Sequence, residues 1–415
     1  MKHKAIGLFL LPIICFMFLL PMQASAAPRF TLKPKVSTSW RMDTNYYGAE
    51  ENEREVYTYL VQAGFELGVN TPKSSLGLDY TLNANYYDDR DAVPPGEKST
   101  DEDNYIGHTL AFTARHQASD RVLVGLDDTF YKTRDPAQSD ELSNSVDREK
   151  YYINRLTPLV YYDFGPRFSV GLRYQNTKID YDPRDSEDAK EDRGALDVVY
   201  HFSRRATMDL EGQHWERDYD GTTSDYASNQ VRLIFKRKLR HFSIVAGAGY
   251  HSRDFDDPNL EDIDVFTYHI NLEGDGTLAN RRTYVSFRTD QNLNDQGLGN
   301  QYFKATRFTL SAGHEFTKKV SGDIQAYYQI SNYEGTFGVT DDGSLEERKD
   351  DTYDVSGTIT YAFARWLSCS LKGGYTKRNS NLAGRNYENR YGLVSIDFAY
   401  GPKGRGRVEK TDLGY

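Results

Sequence analysis

Residues 266–273 read Phe-Thr-Tyr-His-Ile-Asn-Leu-Glu, and this stretch decides the fold because apolar and polar residues alternate along it without a break. Successive side chains of a β-strand point to opposite faces of its sheet. The stretch therefore predicts a strand with one apolar face and one polar face. The same alternation recurs in residues 355–361 (VSGTITY) and 394–400 (VSIDFAY), so the pattern belongs to the whole chain rather than to one segment.

Segments of this kind recur from about residue 30 to residue 400, in a chain that holds 32 tyrosines and 21 phenylalanines. Aromatic residues favour strands. The pattern predicts eighteen strands, at 35–47, 56–70, 75–87, 104–116, 122–133, 150–164, 168–181, 194–202, 207–219, 226–239, 242–255, 263–274, 281–293, 302–316, 321–333, 352–363, 367–379 and 387–400.

The connections between these strands alternate between two kinds. Short turns rich in Pro, Gly and Ser are predicted at 71–74, 165–167, 203–205 and 364–366. Long acidic loops are predicted at 88–103, 134–149, 182–193 and 334–351. Bacterial outer-membrane barrels show this asymmetry, with short turns in the periplasm and long loops outside the cell. An even number of strands then predicts that both termini are periplasmic.

A soluble β-sandwich would also alternate, with its apolar face turned inward. Two features favour the membrane barrel. The predicted strands are about 10–15 residues long, whereas soluble strands have a mode of about 5–6. Aromatic pairs at 46–47, 86–87, 151–152, 161–162 and 327–328 lie near strand ends, which fits the aromatic girdles at the two membrane surfaces. We therefore predict an all-β fold, an antiparallel up-and-down transmembrane β-barrel of about 18 strands.

The first 26 residues are typical of a secretory signal peptide. Lys2 and Lys4 give it a positive start, residues 6–20 form its apolar core, and residues 24–26 (Ala-Ser-Ala) form a small-residue cleavage site. A retained helical anchor is the alternative, but the apolar run is short for a span of about 20 residues. We expect three parts, namely a signal peptide at 1–26, one outer-membrane barrel at 27–400 and a short C-terminal tail at 401–415.

Composition excludes several classes of protein. The chain carries 51 Lys and Arg against 61 Asp and Glu, a formal charge of −10, which argues against nucleic acid as a partner. Cys15 and Cys369 are the two cysteines, so a small disulfide-stabilised ectodomain is also excluded.

Motifs for chemistry are missing from the sequence. The histidines show no His-Glu-x-x-His spacing, and no nucleophile elbow or P-loop occurs. We therefore expect no enzyme, no catalytic residue, no cofactor and no metal site. The acidic run at 254–264 could attract a divalent cation, but it lacks the glycine that an EF-hand loop requires, and a solvated loop is favoured. Weak cation bridging to anionic lipopolysaccharide is the alternative for this loop.

Charged residues at alternate strand positions are candidates for the wall of the pore. Rings of charged side chains can set the selectivity of a channel, although such residues can also simply pair with one another. The candidate lumen-lining residues are Arg173, Arg232, Lys236, Glu273, Arg288, Arg307, Glu315, Asp323, Lys372 and Asp397.

The C-terminal segments resemble a known family. Residues 363–368 (FARWLS), 371–381 (LKGGYTKRNSN) and 387–390 (YENR) resemble the "putative β-barrel porin 2" family of outer-membrane proteins. Residues 32–47, with Arg-Met-Asp-Thr-Asn at 41–45, resemble the opening strand of the family, although Thr44 separates the Asp and the Asn. The resemblance implies an outer-membrane barrel of a kind that often accompanies exopolysaccharide synthesis and export.

A barrel of about 16–18 strands leaves an aqueous channel. With the resemblance, this favours a monomeric conduit for exported polysaccharide in the outer membrane. Its expected partners are outer-membrane lipids and lipopolysaccharide, polysaccharide or small solutes in the lumen, and periplasmic export machinery. A general diffusion porin for small solutes and a structural barrel that docks periplasmic partners are the two alternatives.

Overall fold

The structure is a computed structural model, and it describes residues 28–95, 98–134, 150–182, 187–274, 283–295, 302–340 and 342–399. No helix in these ranges is long and apolar enough to cross a membrane. The ranges contain a short 3₁₀ turn, Thr100–Asp103, and eighteen strands, β1 to β18, with the bounds Arg29–Asp43, Val56–Asn70, Ser74–Asp89, Tyr105–Ser119, Val122–Thr133, Tyr151–Asp163, Phe168–Tyr181, Ala189–Ser203, Ala206–Tyr219, Tyr226–Lys238, Phe242–Phe255, Ile263–Gly274, Thr283–Asp295, Tyr302–Glu315, Val320–Val339, Leu345–Ala364, Leu367–Ser380 and Tyr387–Ala399.

The strands form one closed antiparallel sheet. Each strand pairs with its neighbours in chain order, and β1 closes the barrel by pairing with both β2 and β18. Ser37 on β1, for example, lies opposite Gln62 on β2 and Asp397 on β18. The predicted up-and-down barrel of about 18 strands is therefore confirmed. Closure gives the first strand a partner on both sides from Lys35 to Asp43, and a strand structure in lipid requires such pairing of its backbone groups.

The two faces of the wall differ sharply in polarity. On β9, the apolar side chain of Leu210 is 49% exposed, whereas its neighbours Asp209 and Glu211 are 4% and 5% exposed. Charged residues are thus covered and apolar residues are open, the reverse of a soluble domain. The covered face is the concave one, because Tyr226 on β10 and Tyr302 on β14 meet at 6.0 Å although three strands separate them along the wall.

The exposed face carries an apolar band that ends before the strands do. On β8, Phe202 and Leu196 are exposed on this face, but nearer the loop end the same face presents the ion pair Lys190–Asp192 at 2.5 Å. On β7, Leu172 and Tyr174 give way in the same direction to charged residues. The wall therefore extends beyond its apolar band at the end that carries the loops predicted to be long, which we call the long-loop end.

Most predicted strand bounds agree with the structure to within two residues, and β2, β5, β7, β11 and β12 agree at both ends, whereas β1, predicted at 35–47, spans Arg29–Asp43. The long loop predicted at 334–351 is wrong. β15 runs to Val339 and β16 starts at Leu345, so most of that segment is a hairpin that continues the ladder. The loop predicted at 182–193 is also too long, because β8 starts at Ala189. Charged side chains do not stop a strand where water, rather than lipid, surrounds it.

The assignment of the tyrosine pairs to the membrane girdles is half wrong. Tyr86 is 53% exposed, but its neighbour Tyr87 is buried against Tyr46 inside the barrel. Tyr151 is likewise buried, in a cluster with Ile153 and Ile179. Consecutive residues of a strand face opposite sides, so only one member of a pair that lies within a strand can reach the membrane. Tyr87 and Tyr151 pack inside the barrel at its long-loop end.

Some sequence predictions lie outside the described residues. These are the signal peptide at 1–26, the tail at 401–415 and the greater part of the loop predicted at 134–149.

Neighbouring loops at the long-loop end are tied together by Glu187, which lies just before β8. Its carboxylate accepts hydrogen bonds from the backbone N–H groups of Thr222 and Thr223 at 2.5 and 2.8 Å, and from the Thr222 hydroxyl at 3.0 Å. Partial burial by itself raises the pKa of Glu187, but these hydrogen bonds outweigh it and hold the pKa below its usual value. The loop before β8 is thereby fixed to the loop before β10.

This tie should be lost in acid. A group with a lowered folded-state pKa contributes stability above its unfolded pKa, and loses it as the pH falls through the folded pKa. We expect amide hydrogen-exchange protection at Thr222 and Thr223, corrected for intrinsic rates, to fall below about pH 4, near the ordinary glutamate pKa. Glu187→Gln should weaken protection already at pH 7, while Glu216→Gln, on the exposed face of β9, should not. Unchanged protection in acid would contradict the tie.

Candidate functional site

The concave face of the barrel holds a charge network formed by Arg173, Asp197, Glu211 and Arg232, on β7 to β10. Arg173 binds Asp197 with two hydrogen bonds at 2.9 and 3.0 Å and also donates to Glu211. Arg232 donates to Glu211 through Nε at 2.8 Å. One buried carboxylate thus joins two arginines, which fixes their side chains against the wall.

Strand register makes this network possible. Asp197, Glu211 and Arg232 lie directly opposite one another on β8, β9 and β10. The next residue in the row is Gly249 on β11, where a Cβ atom would lie 2.7 Å from Cγ of Arg232. The missing side chain at Gly249 therefore leaves the space into which Arg232 folds.

The network continues to either side. Lys236 lies 3.6 Å from Asp209. Further round the wall, Asp290 on β13 accepts from Arg288 at 2.7 Å and from His269. A cavity of about 290 Å³ is lined by these groups together with the charge network.

The other residues predicted to line the lumen lie on the same concave face. Arg307 donates to the buried amide of Gln329 at 2.5 Å, and Asp323 accepts from the Tyr284 hydroxyl at 2.6 Å. Lys372 lies 5.7 Å from the ring of Tyr391. Asp397 accepts from Ser395, while Glu273 and Glu315 lie on the concave faces of β12 and β14 near the short turns. The structure does not gather all ten into one site, and their part in selectivity stays a prediction.

A second cavity, of about 400 Å³, lies between the charge network and the long-loop end. We call it the arginine cavity, because five of the described residues that line it are arginines, whereas Glu191 is the one acid among them. The arginines are Arg155, Arg193, Arg217, Arg232 and Arg253. Gln230, Arg232 and Asn292 line both cavities, so the two spaces adjoin.

The arginines of this cavity differ in the groups that they contact. Glu191 lies 2.9 Å from Arg193 and 4.0 Å from Arg217, so it serves two cations. Arg193 also lies 4.2 Å from the ring of Trp215. Arg253 is 3% exposed and lies 3.9 Å from the ring of Tyr226, with a hydrogen bond from Nε to Ser228 at 3.3 Å. Arg253 has no ion pair with any residue that the structure describes.

An aromatic cluster forms the long-loop side of the cavity. Trp215, Tyr226 and Tyr302 are each at most 4% exposed, and Tyr302 donates a hydrogen bond to the Ser224 carbonyl of the β9–β10 loop. The cluster unites β8, β9, β10, β12, β13 and β14, and its members are Ala189, Trp215, Tyr219, Tyr226, Ile263, Val265, Leu293 and Tyr302. Four of these members, Ala189, Trp215, Tyr226 and Leu293, line the arginine cavity.

The sequence predictions included Arg232 but missed the other arginines of the cavity. Arg193 fell outside its predicted strand, since β8 was started five residues too late. Arg253 lies within the predicted β11, two positions from His251 and on the same face. The available signal was this period of two along the strand, but it does not reveal which arginines from separate strands will meet.

Acidic residues of the run at 254–264 accept hydrogen bonds from backbone groups of the same segment. Asp262 accepts from the backbone N–H of Phe255 at 3.1 Å, and Asp257 accepts from that of Asn259 at 2.9 Å. Within the described ranges, no group of three or more His, Cys, Asp or Glu residues could hold a metal ion.

Solved structures with the same architecture come from an outer-membrane protein of Pseudomonas aeruginosa. The structure of OpdK with vanillate is 13% identical in sequence, covers 89% of this chain and 99% of its own, and has a TM-score of 0.52. An improved structure of OccK1 (OpdK) has the same identity and coverage with a TM-score of 0.50. At this identity the similarity shows the fold alone.

No curated protein matches the chain. The family model described as "Putative beta-barrel porin 2" matches residues 245–400, which run from β11 into the end of β18. The predicted resemblance is thereby confirmed for these residues, while the opening strand at 32–47 lies outside the match. Residues 245–400 thus carry the match to the Putative beta-barrel porin 2 family, within a closed barrel of eighteen antiparallel strands that has the fold of OpdK.

Proposed function

We propose that the chain forms a passive channel for small polar solutes in the bacterial outer membrane. The observation that carries the proposal is the polarity of the wall, which exposes Leu210 outward and covers Asp209 and Glu211 inside. An apolar outer band with aromatic residues at its margins suits a lipid bilayer, and a polar interior suits water and dissolved solutes. Eighteen strands give a lumen of channel width.

The shape of the interior supports small solutes. Two adjoining cavities of about 400 and 290 Å³ lie within the part of the lumen that the structure describes. Spaces of several hundred Å³ hold small organic molecules. OpdK, which shares the fold at 13% identity, was solved with vanillate. We therefore rank the small-solute channel above the polysaccharide conduit, whereas the family resemblance alone favours the conduit.

Export of polysaccharide is the second candidate. Its support is the family match at residues 245–400. A polymer needs a continuous path of weak contacts along the lumen, whereas the wall near β7 to β10 is bound into ion pairs around Arg173 and Glu211. Several predictions from the sequence remain predictions. These are a role as a docking barrel, contacts with periplasmic export machinery or lipopolysaccharide, the monomeric state and the periplasmic location of both termini.

The channel should conduct. Purified full-length protein, reconstituted in a planar bilayer in KCl, should give stepwise conductance increases, and proteoliposomes should swell in small sugars but not in long dextrans. The reason is that a hydrated lumen of about 16–18 strands passes ions and small solutes freely. Absence of conductance from protein that shows heat-modifiable gel mobility would refute both pore hypotheses.

The charge network should influence selectivity. Glu211→Gln removes the negative charge that joins Arg173 and Arg232, so the anion-to-cation permeability ratio should rise, by about twofold, from the added positive potential at the wall. Reversal potentials in a KCl gradient measure this ratio. Glu216→Gln, on the same strand but outward-facing and exposed, is the matched control and should leave the ratio unchanged. Equal shifts in both variants would place the network outside the conduction path.

Deletion of the gene should separate the two candidates. A small-solute channel predicts reduced uptake of small polar solutes with unchanged surface polysaccharide. Loss of surface polysaccharide, restored by the wild-type gene, would instead favour the polymer conduit. Polysaccharide extraction and uptake assays on the same strains measure both outcomes.

A further inference from the structure

We propose that the outward face of β14 to β18 carries a binding site for one phosphorylated lipid of the lipid A type. The site combines the cations Lys349 and Arg390 with an apolar depression, which we call the lipid groove and whose lining includes Phe308, Ala326, Tyr328, Tyr353, Val355 and Tyr375. This inference rests on the outer-membrane location in the proposed function, and it concerns the membrane side of the wall rather than the channel.

The lipid groove has a volume of about 390 Å³ and lies where β14, β15 and β16 adjoin. Its floor is Ala326, which lies in one row with Leu310 and Val355 across the three strands. Leu310 and Val355 are 51% and 52% exposed, which places the row on the outward face. Because the alanine is smaller than its two neighbours, a depression remains between them.

The lining of the lipid groove suits a hydrocarbon chain, since most of its residues are apolar or aromatic. Asp354 also borders the groove, but its carboxylate accepts hydrogen bonds from Thr376 at 2.7 Å and from the Tyr391 hydroxyl at 3.2 Å. Apolar cavities stay free of water. An acyl chain in the groove would supply the van der Waals contacts that an empty depression lacks.

Three stacked rings form the long-loop side of the lipid groove. Phe308, Tyr328 and Tyr353 lie opposite one another on β14, β15 and β16, with ring centroids 6.3 and 4.7 Å apart. The Tyr328 hydroxyl donates to Asp351 at 3.0 Å, which lies nearer the long-loop end. Tyrosine takes this orientation at a membrane interface, with its hydroxyl toward water and its ring toward the chains. A lipid in the groove would therefore place its head group toward the long-loop end.

Two exposed cations lie on the same outward face beside the lipid groove. Arg390 on β18 lies opposite Tyr375, which lines the groove. Lys349 on β16 lies two residues beyond Asp351 toward the long-loop end. Neither cation has an ion pair with any residue that the structure describes. Both can therefore bind an anionic head group, and an arginine offers parallel donors to the oxygens of a phosphate.

The carboxylates of this face have partners of their own. Glu388 lies 2.7 Å from Lys377, and Asp351 accepts from the Tyr328 hydroxyl. Glu347 accepts from the backbone N–H of Gly335 at 3.3 Å. These contacts leave Lys349 and Arg390 open to a ligand.

The arrangement favours lipid A over a zwitterionic phospholipid. The ammonium group of phosphatidylethanolamine would be repelled by Lys349 and Arg390, whereas the phosphates of lipid A are attached to sugar and carry no ammonium group. Lipid A also belongs to the outer leaflet, which the long-loop end is predicted to face. An acyl chain over Ala326 and a phosphate on Arg390 would then use both parts of the site.

Native mass spectrometry of the purified full-length protein in detergent tests this assignment, with lipid A as the probe and phosphatidylethanolamine as the lipid without net charge. Wild-type protein should bind one lipid A saturably, and phosphatidylethanolamine about tenfold more weakly. Arg390→Gln should weaken lipid A binding by about tenfold, the scale of a lost charge-assisted contact. Lys190→Gln is the matched control, because Lys190 lies on the outward face of β8 and is held by Asp192, and it should bind as the wild type does.

A second pair of variants tests the lipid groove itself. Ala326→Leu should weaken lipid A binding by about tenfold, because leucine fills the space of about two methylene groups of the chain. Ala248→Leu makes the same change at an exposed alanine of β11, away from the groove, and should leave binding unchanged. If Ala326→Leu lacks heat-modifiable mobility, Tyr353→Ala takes its place, since it removes one of the stacked rings.

Several results would overturn the assignment. These are no lipid A binding to wild-type protein, equal binding of phosphatidylethanolamine, or unchanged binding in Arg390→Gln or in the groove variant. Oligomers of the protein that the groove variant dissociates would assign this face to a second copy instead. Conductance in KCl is measured separately, so a conducting protein that ignores lipid A refutes this inference alone, and a silent protein that binds lipid A refutes the channel alone.

Discussion

Closure of the hydrogen-bonded ladder between β1 and β18 is the constraint on which the rest of this structure depends. Lipid offers no partner for backbone N–H and C=O groups, so a sheet in the membrane must pair its first strand with its last. Residues of β1 from Lys35 to Asp43 pair with β18 from Tyr391 to Ala399. Side chains reinforce the seam, because Asn389 on β18 donates to the buried carboxylate of Asp43 at 2.9 Å. Once β1 pairs with β18, the sheet encloses a lumen. Charged side chains can then be covered on its concave face.

Closure also explains why the interior charges appear in connected groups. A charge on the concave face has lost part of its water, and it is stabilised when a neighbouring strand supplies the opposite charge. Antiparallel register places Glu211 directly opposite both Asp197 and Arg232, and Arg173 completes the set from β7. Among the described residues that line the arginine cavity, arginines outnumber acids.

The sequence predicted the strands of the barrel wall better than the positions of the side chains inside it. Strands such as β7 and β11 were predicted to the residue, because a period of two and a turn at each end are local properties. The hairpin β15–β16 was cut short, since charged residues at 334–351 look like a loop when the surrounding medium is unknown. Tyr87 and Tyr151 were assigned to the membrane surface although they face inward, because adjacent aromatic residues do not show which one faces lipid.

By itself the sequence determined the number of strands, their alternating faces and the residues Arg173, Arg232 and Arg307 as members of the polar face. These follow from backbone geometry, which fixes which side chains share a face. Only the tertiary structure decided which of those side chains meet. Arg193, Arg217 and Arg253 come from β8, β9 and β11, and they share one cavity because register and curvature bring their strand ends together. Register and curvature are set by pairing across the whole closed sheet, so no single segment of the chain encodes them.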